Sequence, residues 1–231
     1  MKKIAVLLSN KGTGSNLVAI IKAIDKKIIS NAEIAVVLSN KADAYGLISA
    51  KQKHIPTEIL DLKDFYTRGK TRKEYDEALG KLLKDHHKID LVVLAGWMLI
   101  LSENFLKYFP DKTINLHPCI LPDVREEYFY YKGKKLKPIK GEHTDNAVQF
   151  AIDQGYPVTG STVHFITEKV DEGPVVIRSF VKIKKDDTVN TLYERMKKQE
   201  YKILPKAINW ICNDKLKIIN NKVVIEKDIV I

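Results

Sequence analysis

Cysteine is scarce in this chain, with Cys119 and Cys212 the only two in 231 residues. Two thiols cannot staple a disulfide scaffold, and their spacing matches no zinc site, so the chain fits a reducing compartment. Long apolar runs are missing as well. A spanning helix needs about 20 consecutive apolar residues, and the opening MKKIAVLLSNKG meets charge and glycine too early for that or for an ordinary signal peptide. These absences point to the cytoplasm and away from a membrane. Arginine is also rare: Arg68, Arg72, Arg125, Arg178 and Arg195 are all there are, although the formal net charge is +10. Proteins that read nucleic-acid sequence lean on arginine forks. The lysine here is scattered, with one local excess in YYKGKKLKPIK (130–140). The charge therefore reads as solvated lysine compatible with a small anionic substrate, with no specific nucleic acid as partner. Adjacent His86 and His87 cannot share a helical face as ligands, and no metal is expected. Internal repeats and low-complexity tracts are absent.

With 45% hydrophobic residues, the chain can bury a sizeable core as one α/β domain. Unbroken apolar runs alternate with helical patterns. IAVLLS (4–9), EIAVVLS (33–39), TEIL (57–60), DLVVLAG (90–96) and TINLH (113–117) read as strands. Between them lie SNLVAIIKAI (15–24), 42–52, 71–86 with Thr71 as N-cap, and 102–109 with Ser102 as cap, all read as helices. That alternation predicts a Rossmann-like, mostly parallel sheet with helices on both faces, whose ligands bind at the carboxyl ends of the strands. The loops after Ser9 and Ala95 and the pair Asn115/His117 would then share one rim. Beyond residue 118 the pattern changes. Residues 123–142 are aromatic, basic and turn-rich, an exposed loop or hairpin, and a helix follows over 143–155. Antiparallel strands over 161–167 and 174–183, a long helix over 187–214 with Pro205 inside, and a terminal hairpin over 215–225 with an Asn-Asn turn complete the chain. The chain divides into a half over 3–117 and a half over 118–231.

Three stretches can carry chemistry. In TINLH, residues two apart point to one face, so Asn115 and His117 project together, and Pro118 ends the strand. The loop SNKGTGSNL (9–17) presents backbone N–H groups at a helix N-terminus, where an ordinary βα turn and a phosphate cradle are both open readings. It lacks the GK[ST] of a P-loop. Asp171, in EKVDEGP, is either a turn-forming residue or a site carboxylate. An Asn, a His and an Asp together could serve acyl transfer: a carboxamide donor for a developing oxyanion, an imidazole, and a carboxylate that moves protons. His164, in STVHFIT, is a structural histidine or a site residue, and Cys119 a small packing residue.

SNKGTGSNL, AGWMLILS (95–102), INLHPCILP (114–122), TGSTVHFITEKVDEGPVV (159–176) and MKKQEYKILPKAI (196–208) follow in an order that resembles the folate-dependent formyltransferases, and among them the glycinamide ribonucleotide transformylases. The resemblance covers 3–122 and 141–218. It implies formyl transfer from 10-formyltetrahydrofolate to the amine of glycinamide ribonucleotide, in purine synthesis, by a monomer or homodimer. It implies that Asn115 and His117 polarise the formyl group and that Asp171 relays the amine proton. Gly14, Ser15 and Asn16 would hold the substrate phosphate, and Glu200 its ribose hydroxyls. Arg72, Met98, Ile100 and Leu101 would surround the folate, in what becomes a nucleotide-binding half (3–117) and a folate and catalytic half (118–231) of one formyltransferase domain. Segment 123–140 replaces a much shorter loop, and Leu99, Cys119 and Lys197 depart from the family pattern. An amino sugar nucleotide as acceptor, or a non-catalytic nucleic-acid-binding module, are the competing readings.

Overall fold

The computed structural model describes residues 1–9, 14–124 and 126–226, in two compact units, Met1–Ile114 and Asn115–Ile231. In the first unit, strands β1 (Lys2–Leu8), β2 (Ala32–Ser39), β3 (Thr57–Ile59) and β4 (Leu91–Leu94) lie in the order β3-β2-β1-β4, every pair parallel. Their apolar runs explain the arrangement: Ile4, Val6, Leu7, Val36, Val37, Leu38, Val92 and Val93 are all fully buried, as in a sheet covered on both faces. Helix α1 (Ser15–Asp25) buries Leu17, Ile20 and Ile21, the stripe its sequence spacing predicts. Its N-terminus comes close to helix α2 (Tyr45–Gln52), because Gly14 adopts φ +68° and a Cβ there would meet Gly46 Cα at 2.9 Å.

Short helix α3 (Leu62–Thr67), which apolar periodicity does not signal, is capped by Asp61, whose side chain accepts from Lys63 N. Helix α4 (Arg72–Lys81) starts at Thr71 with a complete capping box to Glu74. The helix expected over 71–86 does not stay regular. Over Leu82–His86 the turn widens, with His87 N donating to Leu82 O, and Leu83 stays fully buried. Helix α5 is only Glu103–Leu106, and Ser102 makes no side-chain cap bond; its backbone N–H instead donates to Asp76 Oδ2 at 3.0 Å.

Strand β5 (Thr113–His117) begins in the first unit and ends in the second, where the order is β5-β8-β9. Strands β6 (Phe129–Tyr131) and β7 (Lys134–Leu136) form a separate antiparallel hairpin turning at Lys132 and Gly133, both with positive φ. Phe129 and Leu136 pack with Ile120 and Val158, while Ile139 packs with Cys119, Ala147 and Ala151. Burying Phe129, Leu136 and Ile139 contributes about 1.5–3 kcal/mol each, which favours docking of so short a hairpin. Helix α6 is Thr144–Asp153. Strands β8 (Val158–Phe165) and β9 (Val175–Lys182) pair antiparallel, in the order expected but with β8 starting earlier, and β8 is buried along its whole length. Helix α7 (Val189–Cys212) runs unbroken through Pro205 and buries Leu192, Met196, Leu204 and Ile208. The terminal hairpin of β10 (Leu216–Ile219) and β11 (Lys222–Ile225) turns at Asn220 and Asn221, both left-handed, as the sequence predicts.

Candidate active site

Strand β5 delivers Asn115 and His117, β8 delivers His164, and the turn between β8 and β9 delivers Asp171, all in the second unit. Asp171 sits at φ +54°, a left-handed position that turn-forming Asp tolerates, and its carboxylate faces His117 and His164. Gly173 closes the same turn; a Cβ there would lie 1.9 Å from Phe165 O. The Asp171 carboxylate is the hub. Its Oδ2 accepts from Gly141 N at 2.8 Å and lies 3.3 Å from His117 Nδ1, while Oδ1 lies 3.5 Å from His164 Nε2. Asn115 Nδ2 reaches the same His164 Nε2 at 3.5 Å.

Proton accounting follows from the carbonyls. His117 Nε2 lies 2.7 Å from Ile139 O, and His164 Nδ1 lies 2.9 Å from Phe165 O. A carbonyl only accepts, so each of those nitrogens carries the hydrogen. His164 Nε2 faces two partners, Asn115 Nδ2 and Asp171 Oδ1, each at 3.5 Å. Burial pushes the pKa of His117 below its ordinary value, against the pull of Asp171 and the Ile139 carbonyl. Burial also raises the Asp171 pKa, but the hydrogen bond to His164, the nearby His117 and the Gly141 N–H outweigh it, bringing the carboxyl down to about 2. The site therefore holds an ionised carboxylate between the His117 and His164 rings at neutral pH. Asp171 also lines a cavity of about 160 Å³ with Asp123, Glu126, Glu127, Lys140 and Glu172.

The remaining expected site residues are placed as follows. Gly14, Ser15 and Asn16 stand half-buried at the start of α1, and residues 10–13 of the preceding loop lie outside the described residues. Glu200 is buried on α7, where Oε1 accepts from Ser161 Oγ at 2.8 Å. Arg72 donates through Nε to Asp76 Oδ1 at 3.0 Å and through Nη2 to Ile100 O. Ile100 is exposed, Leu101 buried and Met98 between the two, with Met98 N donating to Ser9 Oγ at 3.1 Å. Ser9 Oγ in turn donates to Asn40 Oδ1 at 2.7 Å. Sequence reasoning missed Asp76, whose only signal is its place one helical turn after Arg72, and the backbone groups of Ile139 and Gly141, which have no residue-type signature. Cys119 is buried and its thiol pushed up to about 12 by burial, as suits a packing residue rather than a nucleophile. Among the described residues, no group of three or more His, Cys, Asp or Glu could hold a metal ion, and no helix is long and apolar enough to cross a membrane.

Comparison with known proteins gives this geometry a context. A family model described as "Formyl transferase" matches residues 2–208. Phosphoribosylglycinamide formyltransferase of Haemophilus influenzae is 40% identical over 221 residues, 96% of this chain and 92% of that protein. Trifunctional purine biosynthetic protein adenosine-3 of Homo sapiens is 39% identical over 211 residues, 91% of this chain and 18% of that longer protein. The crystal structure of glycinamide ribonucleotide transformylase 1 from Symbiobacterium toebii matches with a TM-score of 0.83 at 32% identity, covering 98% of this chain and 95% of that one. The mostly parallel sheet, its antiparallel C-terminal strands and a match over most of the sequence together show that this chain belongs to the formyl transferase family.

Proposed function

We propose that the chain transfers a formyl group from 10-formyltetrahydrofolate to the amine of glycinamide ribonucleotide. The observation that carries the chemistry is the convergence of Asn115 and Asp171 on His164 Nε2, each at 3.5 Å, with His117 behind the carboxylate. Asn115 Nδ2 is a preorganised donor for the negative charge that grows on the formyl oxygen, an effect worth about 10²–10³ in rate. Asp171, ionised and held by Gly141 N–H, takes the proton that the attacking amine loses as its nitrogen bonds to the formyl carbon. The bond from the formyl carbon to the donor nitrogen breaks, and that nitrogen collects a proton in turn, so charge balances over the cycle. His117 acts from behind Asp171, since both its nitrogens face protein atoms.

Gly14, Ser15 and Asn16 offer the start of α1 to the acceptor's phosphate, where the helix dipole favours an anion. Glu200 serves the ribose hydroxyls from α7. Arg72, Met98, Ile100 and Leu101 form the folate-contacting set, and in this arrangement Arg72 acts by holding the Ile100 carbonyl. The likeness to a phosphoribosylglycinamide formyltransferase and a glycinamide ribonucleotide transformylase favours glycinamide ribonucleotide over an amino sugar nucleotide.

The test is turnover with purified protein, 10-formyltetrahydrofolate and glycinamide ribonucleotide, followed by absorbance of the released folate. Turnover at a rate that saturates in both substrates is the expected result. No turnover with the ribonucleotide, but turnover with an amino sugar nucleotide, would overturn the acceptor assignment.

A further inference from the structure

After strand β5 the chain enters a short segment whose backbone is held by two side chains of the neighbouring strands. Thr162 on β8 and Arg178 on β9 stand opposite each other in the antiparallel register, so their side chains leave the sheet on one face. Both reach Leu121. Thr162 Oγ1 accepts from Leu121 N at 3.0 Å and donates to Cys119 O at 2.7 Å. Arg178 Nε donates to Leu121 O at 2.5 Å, and its Nη2 donates to Asp123 Oδ1 at 2.5 Å. The N–H and the carbonyl of one buried residue are thus both taken by a cross-strand pair.

The residues so held form a wall. Pro122, Asp123 and Val124 line the cavity of about 160 Å³ that also has Asp171 in its lining. Asp123 O accepts from Glu126 N at 3.0 Å, the turn that starts the path to the β6–β7 hairpin. We propose that Arg178 is a positioning residue that fixes residues 121–123 as the wall of the cavity beside Asp171, and so supports binding of the acceptor amine. The kinetic consequence rests on the formyl-transfer reading; the wall rests on the contacts alone. The residue type fits the task. A guanidinium presents a planar fork that serves a carbonyl and a carboxylate at once, whereas the ammonium of lysine is a single point. The side chains of Asp123 and Arg178 are 43% and 25% exposed, so water weakens the carboxylate arm, and the arm directed at the buried Leu121 carries more of the hold.

Hydrogen–deuterium exchange of the full chain without substrate, read over residues 119–124, tests the wall. In Arg178→Met, exchange there is expected to rise about tenfold while strands β1 to β4 keep the wild-type rate. Arg178→Lys keeps a charge facing Asp123 but not the fork, and is expected to rise less. Wild-type exchange in both variants would overturn the proposal. Steady-state kinetics test the consequence. Arg178→Met is expected to raise the KM for glycinamide ribonucleotide about five- to tenfold, the scale of partly exposed hydrogen bonds to a charged group. The kcat is expected to stay within about twofold of wild type, because the fork does not involve Asn115, His117 or Asp171, and Arg178→Lys is expected to recover part of the KM. A fall in kcat at unchanged KM would contradict the positioning role. If the wild type does not turn over the ribonucleotide, the formyl-transfer reading fails, while the exchange result still decides whether Arg178 holds the wall.

Discussion

Two loops of this molecule are fastened by different means. In the first unit, the 98–102 loop hangs on a side chain: buried Asp76 accepts from Ser102 N and from Arg72 Nε, and Arg72 donates to Ile100 O. In the second unit, Asp171 and His117 are fastened by main-chain groups, Gly141 N–H and the Ile139 carbonyl. A side-chain fastening can be removed by one substitution and leaves a signature of residue types. A main-chain fastening survives most substitutions and follows the path of the backbone. The first suits a loop whose backbone must present a surface; the second suits titrating side chains that must keep fixed hydrogen positions.

The largest expected effects lie at and beside the second fastening. Asn115→Ala is expected to lower kcat by about 10²–10³-fold while far-UV circular dichroism and folate binding persist; steady-state kinetics check it. Breaking the first fastening is expected to act elsewhere. Asp76→Ala removes two hydrogen bonds to a buried charge and is expected to cost about 1.5–3 kcal/mol in denaturant unfolding. Because the 98–102 loop then loosens, the KM for the formyl donor is expected to rise while the pH–rate profile holds its shape. A profile that moved would mean the two fastenings are not independent.

Acid sharpens the contrast. The Asp171 carboxyl is brought from 3.8 down to about 2 in the folded protein, so its stabilising contribution is complete above about pH 4 and lost as pH falls toward 2, roughly 2 kcal/mol in all. His117 titrates in the same direction, since its folded pKa lies below the ordinary value and charging it in its buried place is unfavourable. Denaturant unfolding of the wild type and Asp171→Asn at pH 6 and pH 3 is expected to show the gap between them narrowing in acid. The smallest effect belongs to Thr71→Ala, which removes the cap of α4 and is expected to cost about 1 kcal/mol without changing either pH limb.

Much of this was legible in the residues themselves. The buried parallel strands, the Thr71 cap, the Asn220–Asn221 turn and the pairing of Asn115 with His117 on one strand follow from apolar runs, capping chemistry and the two-residue period of a strand, whereas the place of Asp171 beside them comes only from the family resemblance. Other features were not. Helix α3 is too short for periodicity to show, though Asp61 marks its start. Ser102 resembles a cap in sequence, but a buried carboxylate 26 residues earlier takes its backbone instead. The widened turn at Leu82–His86 and the service of Ile139 and Gly141 to the site arise from tertiary packing of main-chain groups, which every residue type carries alike.

Asp171 ties these observations together, because it touches both histidines and the 139–141 backbone. The most direct measurement is single-turnover formyl transfer from 10-formyltetrahydrofolate to glycinamide ribonucleotide by Asp171→Asn, whose amide keeps the size of the side chain but cannot take a proton. The expected result is a loss of about 10²–10⁴-fold in the transfer step with both substrates still bound; a rate within tenfold of wild type would contradict the role assigned to this carboxylate.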